Sequence, residues 1–190
     1  MSARPSPQWW LTLALTLAAA ASPLVAAWCV ERIGDAAGRY EILSVGTLAA
    51  LAVGGLAGLK RGGLWSLLSG PGVGFLVGLL DLRAFVWLYT LAECPAGIAA
   101  AAPVWGLLFG IWLALHRRRW WSRVLTVLAV AGIDLAARLC WYDWASVRNL
   151  QELGDWRWLA ESLIYSPTAA CIVLLMPRLN RGKLRADVQS

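Results

Sequence analysis

The residues of this chain best equipped for chemistry are charged groups set in or beside apolar runs: Asp81, Asp134 and Glu161, with Arg138 as a base in the same setting. Asp134 and Arg138 are four residues apart, so on a helix they share a face and can pair. An acid inside a membrane is by default a functional hypothesis, because its burial is costly. Two carboxylates that share a proton can run protease chemistry, since adjacent like charges raise one of their pKa values into the working range. An in-helix ion pair is equally an ordinary packing device. Asp81 and Glu161, at the ends of their apolar runs, read as solvated boundary carboxylates. A hydrolase built from Asp134 with Asp81 or Glu161 is a weak reading: no Gly-x-Gly-Asp segment follows Tyr142-Asp143, and neither Asp81 nor Asp134 has asparagine-rich surroundings.

Metal and nucleophile chemistry is poorly supplied. His116 is the only histidine, it sits in the basic stretch HRRRWWSR, and no Cys-x-x-Cys occurs among the four cysteines. No metal and no cofactor is expected. Cys29, Cys94 and Cys140 all fall near one face of the expected bundle, where a disulfide among them is geometrically possible, with no pair singled out.

The elements that must position these residues follow from composition. Of the 190 residues 59% are hydrophobic and 15% charged, mean hydropathy is +0.62, and there are 13 tryptophans, which excludes a soluble enzyme. Six apolar segments approach the roughly 20 residues that a helix needs to cross a bilayer: Trp9 to Trp28, Ile42 to Leu59, Leu64 to Leu80, Gly97 to Leu115, Trp121 to Cys140 and Trp158 to Met176. Leu82 to Cys94 is apolar but short and flanked by charge, and reads as an interfacial or re-entrant piece. The expected fold is all-α, one integral membrane domain over residues 1–190. The first run, preceded by Arg4, is read as a retained anchor and not a cleaved signal, because of its length.

Orientation follows from Lys and Arg, which resist translocation when they lie in short loops. Of the 17, 11 collect on one side: Arg4, Lys60, Arg61, Arg117, Arg118, Arg119, Arg123, Arg178, Arg181, Lys183 and Arg185. Both termini are therefore expected in the cytoplasm. Arg117, Arg118, Arg119 and Arg123 act in this reading as a topology signal, and the tryptophans among them suit anionic lipid headgroups. Insertion already explains the basic loops, so nucleic acid is not an expected partner. Trp9, Trp10, Trp28, Trp120, Trp121 and Trp141 fall at span ends and form an aromatic belt.

Small residues recur every fourth position in the second span (Gly46, Ala50, Gly54, Gly58, Gly62), in the third (Ser66, Gly70, Gly74, Gly78) and in the fourth (Ala102, Gly106, Gly110). Such seams let helix backbones approach closely, which drives association in lipid. The seams serve either packing within the chain or the docking of a partner's helix. Pro71, Pro103 and Pro167 lie inside expected spans and would kink them.

The stretch Gly70 to Asp81 (GPGVGFLVGLLD), with Gly70, Gly74, Phe75, Gly78 and Asp81, resembles the core motif of the MreD family, bacterial rod shape-determining membrane proteins. LTVLAVAGIDL, which carries Asp134, looks like that family's penultimate helix, and SLIYSPTAACIVLLMPRLNRGK like its last. Span count, length and orientation agree, so the resemblance covers about residues 42 to 185. It implies a non-enzymatic, multi-pass scaffold of the cell-wall elongation complex in the bacterial inner membrane, with MreC-like and wall-synthesis proteins as partners. It also implies a fold related to the substrate-binding components of energy-coupling factor transporters. A small-molecule-binding transporter component is therefore the alternative reading.

Overall fold

The computed structural model describes residues 8–37, 43–92, 103–144 and 157–179. Among these, every element is an α-helix: α1 Gln8–Ala37, α2 Val45–Arg61, α3 Leu64–Ala92, α4 Val104–Leu115, α5 Trp120–Trp144 and α6 Arg157–Leu175. Three stretches, Trp9–Ile33, Leu64–Ala84 and Trp120–Trp141, are long and apolar enough to cross a membrane, and Val104–Leu115 and Ser162–Leu175 are shorter apolar helices. Leu64, Trp65, Leu115 and Trp120 are each 70% exposed or more. An outer surface of leucine and tryptophan is stable only where the surrounding medium is itself apolar.

Each helix packs on its neighbour in sequence, and α6 also packs on α1, which closes the six into a ring. α6 further reaches α2 and α4. It contributes Ala169, Ile172 and Val173 to the core, joined by Met176 just past its end, against Trp105, Phe109 and Leu113 of α4 and Val53 and Ala57 of α2. The only cysteines described, Cys29, Cys140 and Cys171, are free thiols; Cys94 lies outside the described residues.

Local chemistry sets the helix ends. Ser44, in an extended conformation, accepts a hydrogen bond from the Thr47 backbone N–H at 3.0 Å and so caps α2. Gly62 ends α2 in the left-handed region (φ 74°), donating its N–H to the Gly58 carbonyl, a conformation that costs a glycine little. Pro103, expected inside a span, stands instead at the start of α4 as its N-cap. Proline disfavours helix at the residue before it, and its missing N–H costs nothing at a helix start. Residues 97–102 of that expected span lie outside the described residues. The segment from Leu82, expected as a separate interfacial or re-entrant piece, is as far as Ala92 a direct continuation of α3. Nothing in its sequence breaks the helix, since neither glycine nor proline occurs between Gly78 and Pro95.

The small-residue seams of α2 and α3 face each other. Gly58 meets Ser66, Gly54 meets Gly70, Ala50 meets Gly74 and Thr47 meets Gly78, so steps of three or four residues back along α2 match steps of four forward along α3. This is the register of two antiparallel helices joined by a tight turn. A Cβ at Gly54 or Gly70 would overlap the carbonyl of the other. The faces of Gly70, Gly74 and Gly78 are thus occupied within the chain, whereas Phe75 points away and is 40% exposed.

Candidate functional site

Four helices bring their polar groups together at one end of the ring. α5 presents Asp134 and, one turn on, Arg138, whose Nε donates to Asp134 Oδ2 at 3.3 Å. The pairing expected from their spacing is present, but it is half of a larger arrangement. Arg138 Nη2 also donates to Asp81 Oδ1 on α3 at 2.7 Å, and Asp81 Oδ2 accepts from the Tyr165 hydroxyl of α6 at 2.8 Å. The Arg138 guanidinium lies 5.5 Å from the Tyr165 ring centroid, within cation–π range.

Asp81 is therefore not the solvated boundary carboxylate that its place in the sequence suggested. It is 3% exposed, against 0% for Asp134 and 4% for Arg138. The reason lies in α3, which continues to Ala92, so Asp81 sits well inside the helix with its side chain turned toward α5 and α6. Glu161, the other boundary acid, has no described side chain.

α4 and α6 supply the last partners of Asp134. Its Oδ2 accepts the Gly106 backbone N–H at 2.9 Å, and its Oδ1 lies 3.4 Å from the Thr168 hydroxyl of α6. Gly106 is the third residue of α4 and so lies in its first turn, where backbone N–H groups have no acceptor within the helix. The absence of a side chain is what lets Asp134 come this close: a Cβ at Gly106 would lie 2.6 Å from Ala131 Cα and 2.7 Å from Asp134 Cβ. Trp105 beside it is fully buried, with its ring 4.5 Å from that of Tyr165, and its indole N–H has no hydrogen-bond partner.

Chemically, one guanidinium bridges two carboxylates, whose oxygens also accept from the Gly106 N–H and the hydroxyls of Tyr165 and Thr168. A protease dyad needs its two carboxyl groups to share a proton; here Arg138 stands between them. The groups capable of acid–base work are spent on one another and on tying α3, α4, α5 and α6 together. No group of three or more His, Cys, Asp or Glu side chains that could hold a metal ion occurs among the described residues.

At the other end of the ring the polar groups are cations. Lys60, 8% exposed, donates from Nζ to the Val173 and Leu174 carbonyls of α6 at 2.7 and 2.8 Å. Arg117 donates from Nη2 to the next carbonyl, Leu175, and Arg178 from Nη2 to Thr12 Oγ1 of α1 at 2.8 Å. The carbonyls left unpaired at the end of α6 are thus satisfied by side chains from other helices. Of the other basic residues in the α4–α5 turn, Arg118 and Arg119 are exposed, Arg119 lying 5.8 Å from the Trp121 ring, and Arg123, in the first turn of α5, donates from Nε to the Arg117 carbonyl at 2.9 Å. Burial, and then Arg178 and Arg117 nearby, hold the Lys60 ammonium down to about 8. His116, which donates from Nδ1 to the Trp112 carbonyl at 2.9 Å, is held below its usual range, foremost by burial and further by Arg61 and Arg117.

Tyr165, Thr168 and Trp105 had not been singled out in the sequence. The i, i+3 spacing of Tyr165 and Thr168 on one apolar helix was their only signal. No protein-family model, curated protein or solved structure matches this chain.

Proposed function

We propose that the chain is a non-enzymatic, six-span membrane scaffold, with both termini in the cytoplasm, that binds the membrane helix of an MreC-like partner in a bacterial wall-elongation complex. The observation that carries this reading is the Asp81–Arg138–Asp134 bridge. It uses three buried ionisable groups to hold four helices in register and leaves no reactive pair among them, which is what a rigid platform requires and a hydrolase does not. Breaking one member of such a buried pair is far more damaging than its net contribution would suggest, so the bridge fixes geometry more than it adds stability. The Gly70 to Asp81 motif also gains a physical meaning. Its glycines seat α2, and its aspartate is the point at which α3 joins α5 and α6.

With Gly70, Gly74 and Gly78 taken by α2, the partner would dock on the opposite face of α3. There Trp65, Leu68, Phe75 and Leu76 are exposed, and a Cβ at Gly72 would meet nothing within 4 Å. These five positions recur at three- and four-residue steps and so form one stripe.

The test is purification of the tagged full chain from its native membrane in mild detergent, with mass spectrometry of what accompanies it. Recovery of an MreC-like protein and wall-synthesis enzymes, lost in Gly72→Trp while the chain still elutes as a folded species, is the expected result. Recovery of paired ATPases and a coupling subunit would overturn it in favour of the transporter alternative.

A further inference from the structure

The basic end of the ring holds more cationic charge than its partners account for. Lys60 and Arg61 end α2, and His116 and Arg117 follow α4; Lys60 and Arg117 reach the last carbonyls of α6, and Arg61 is near enough to His116 for its charge to be felt there. The sequence offers no acid in either neighbourhood: no Asp or Glu occurs between Glu41 and Asp81, nor between Glu93 and Asp134. The partial negative charge of a helix C-terminus, about half an elementary charge, offsets only a fraction of two guanidinium groups and an ammonium. The strain is visible in Lys60, whose ammonium is held down to about 8, by burial first and then by the neighbouring cations. A second observation concerns Arg117 alone. Its Nη2 is used on Leu175, but its Nε is buried with no hydrogen-bond partner. A buried N–H of a permanently charged group lacks an acceptor there.

We propose that Lys60, Arg61 and Arg117 form a binding site for a single phosphate group where α2, the α4–α5 turn and the end of α6 meet. Retention of Lys and Arg on one side of a membrane explains why these residues lie at this end. It does not explain why Lys60 and Arg117 turn inward onto consecutive carbonyls of α6 while Arg118 and Arg119, in the same loop as Arg117, stay exposed. A phosphate accepts hydrogen bonds on several oxygens at once, which suits two guanidinium forks and an ammonium arriving from different directions. Leu115, Trp120 and Trp121 are exposed beside the cluster, the side chains expected where a bilayer meets its headgroups. The phosphate therefore comes either from an anionic lipid or from a soluble phosphate.

The full chain, purified in a neutral detergent, is titrated with phosphatidylglycerol against phosphatidylcholine, and separately with inorganic phosphate against chloride at equal ionic strength. Melting temperature and bound lipid per chain are the readouts. The expected result is a raised melting temperature with one phosphate source, saturating at one site per chain. Arg117→Gln and Arg61→Gln each weaken it about tenfold, the effect of one charge-assisted hydrogen bond, and Arg118→Gln changes it less than twofold. Arg61→Gln matters because the α6 carbonyls are capped by Lys60 and Arg117, and the Arg61 backbone carbonyl still accepts the Leu179 N–H (3.3 Å), so the variant keeps these contacts even if Arg117→Gln does not fold. A response to phosphatidylglycerol alone identifies a lipid headgroup, and a response to inorganic phosphate identifies a soluble source; either supports the site. The proposal is overturned if neither source raises the melting temperature, or if Arg118→Gln weakens binding as much as Arg61→Gln, since that pattern is diffuse surface attraction.

Discussion

Two buried cations stand at opposite ends of the same pair of helices and are neutralised in different ways. Arg138 reaches two carboxylates beside the start of α2, whereas Lys60, fourteen residues along α2 from Gly46 and so about 21 Å away, reaches two backbone carbonyls at the end of α6. The first end matches full charges with full charges. The second sets an ammonium against the partial charges of a helix terminus and crowds it with further cations. Removing a cation should therefore do opposite things at the two ends. At the first it strands two buried carboxylates; at the second it relieves repulsion at the expense of capping.

Arg138→Leu is the strongest way to break that contrast. Loss of one partner of a buried ion pair costs about 3–5 kcal/mol, because the remaining charge keeps its desolvation penalty without compensation. The variant should fail to accumulate as a monodisperse species in fluorescence-detected size exclusion. Combining it with Asp81→Asn and Asp134→Asn should restore part of the loss, since the stranded charges are then gone. Equal loss in the single and triple variants would mean that Arg138 acts through packing, and the charge argument would fail.

Gly106→Ala sharpens the comparison at the carboxylate end without touching a charge. The added methyl must push α4 from Ala131 and Asp134, which lengthens the hydrogen bond from the Gly106 N–H. Overpacking of this kind costs about 1–3 kcal/mol. Unfolding in a denaturing detergent titration should show a loss of that size, and Gly132→Ala, where a Cβ meets nothing within 4 Å, should show almost none.

How much of this was legible in the sequence depends on whether a contact is local. Asp134 and Arg138 lie on one helix, so their spacing alone announces the pair. Asp81 joins them only because α3 continues past it and brings its carboxylate within reach of Arg138, and hydropathy windows, which place a boundary at the first charge, put it in water instead. The glycine seams were readable as seams because a four-residue repeat has one structural meaning. Their mutual pairing needed the register that the tight turn at Gly62 and Gly63 imposes. Least legible was the cluster at Lys60 and Arg117. Basic residues there serve topology in any membrane protein, and the carbonyls of Val173, Leu174 and Leu175 that receive two of them leave no mark in the sequence, because every residue carries a carbonyl.

The smallest expected effect tests the carbonyl end through pH. A lysine in the unfolded chain titrates near about 10.4, while Lys60 in the fold is held down to about 8. Below pH 8 both states carry the charge, and the folded state bears the whole penalty of burying an ammonium among cations. Between those two values the unfolded state binds more protons than the folded one, so stability rises with pH across this window and levels off above it. Melting temperatures from pH 7 to 10.5 should therefore climb more steeply in the native chain than in Lys60→Met, which lacks the group; the difference between the two profiles cancels the other lysines, tyrosines and thiols that titrate in the same range. Arg138 offers no counterpart, because a guanidinium does not deprotonate in a protein. A native profile that runs parallel to that of Lys60→Met would mean that the α6 carbonyls neutralise Lys60 as fully as carboxylates neutralise Arg138, and the distinction between the two ends would disappear.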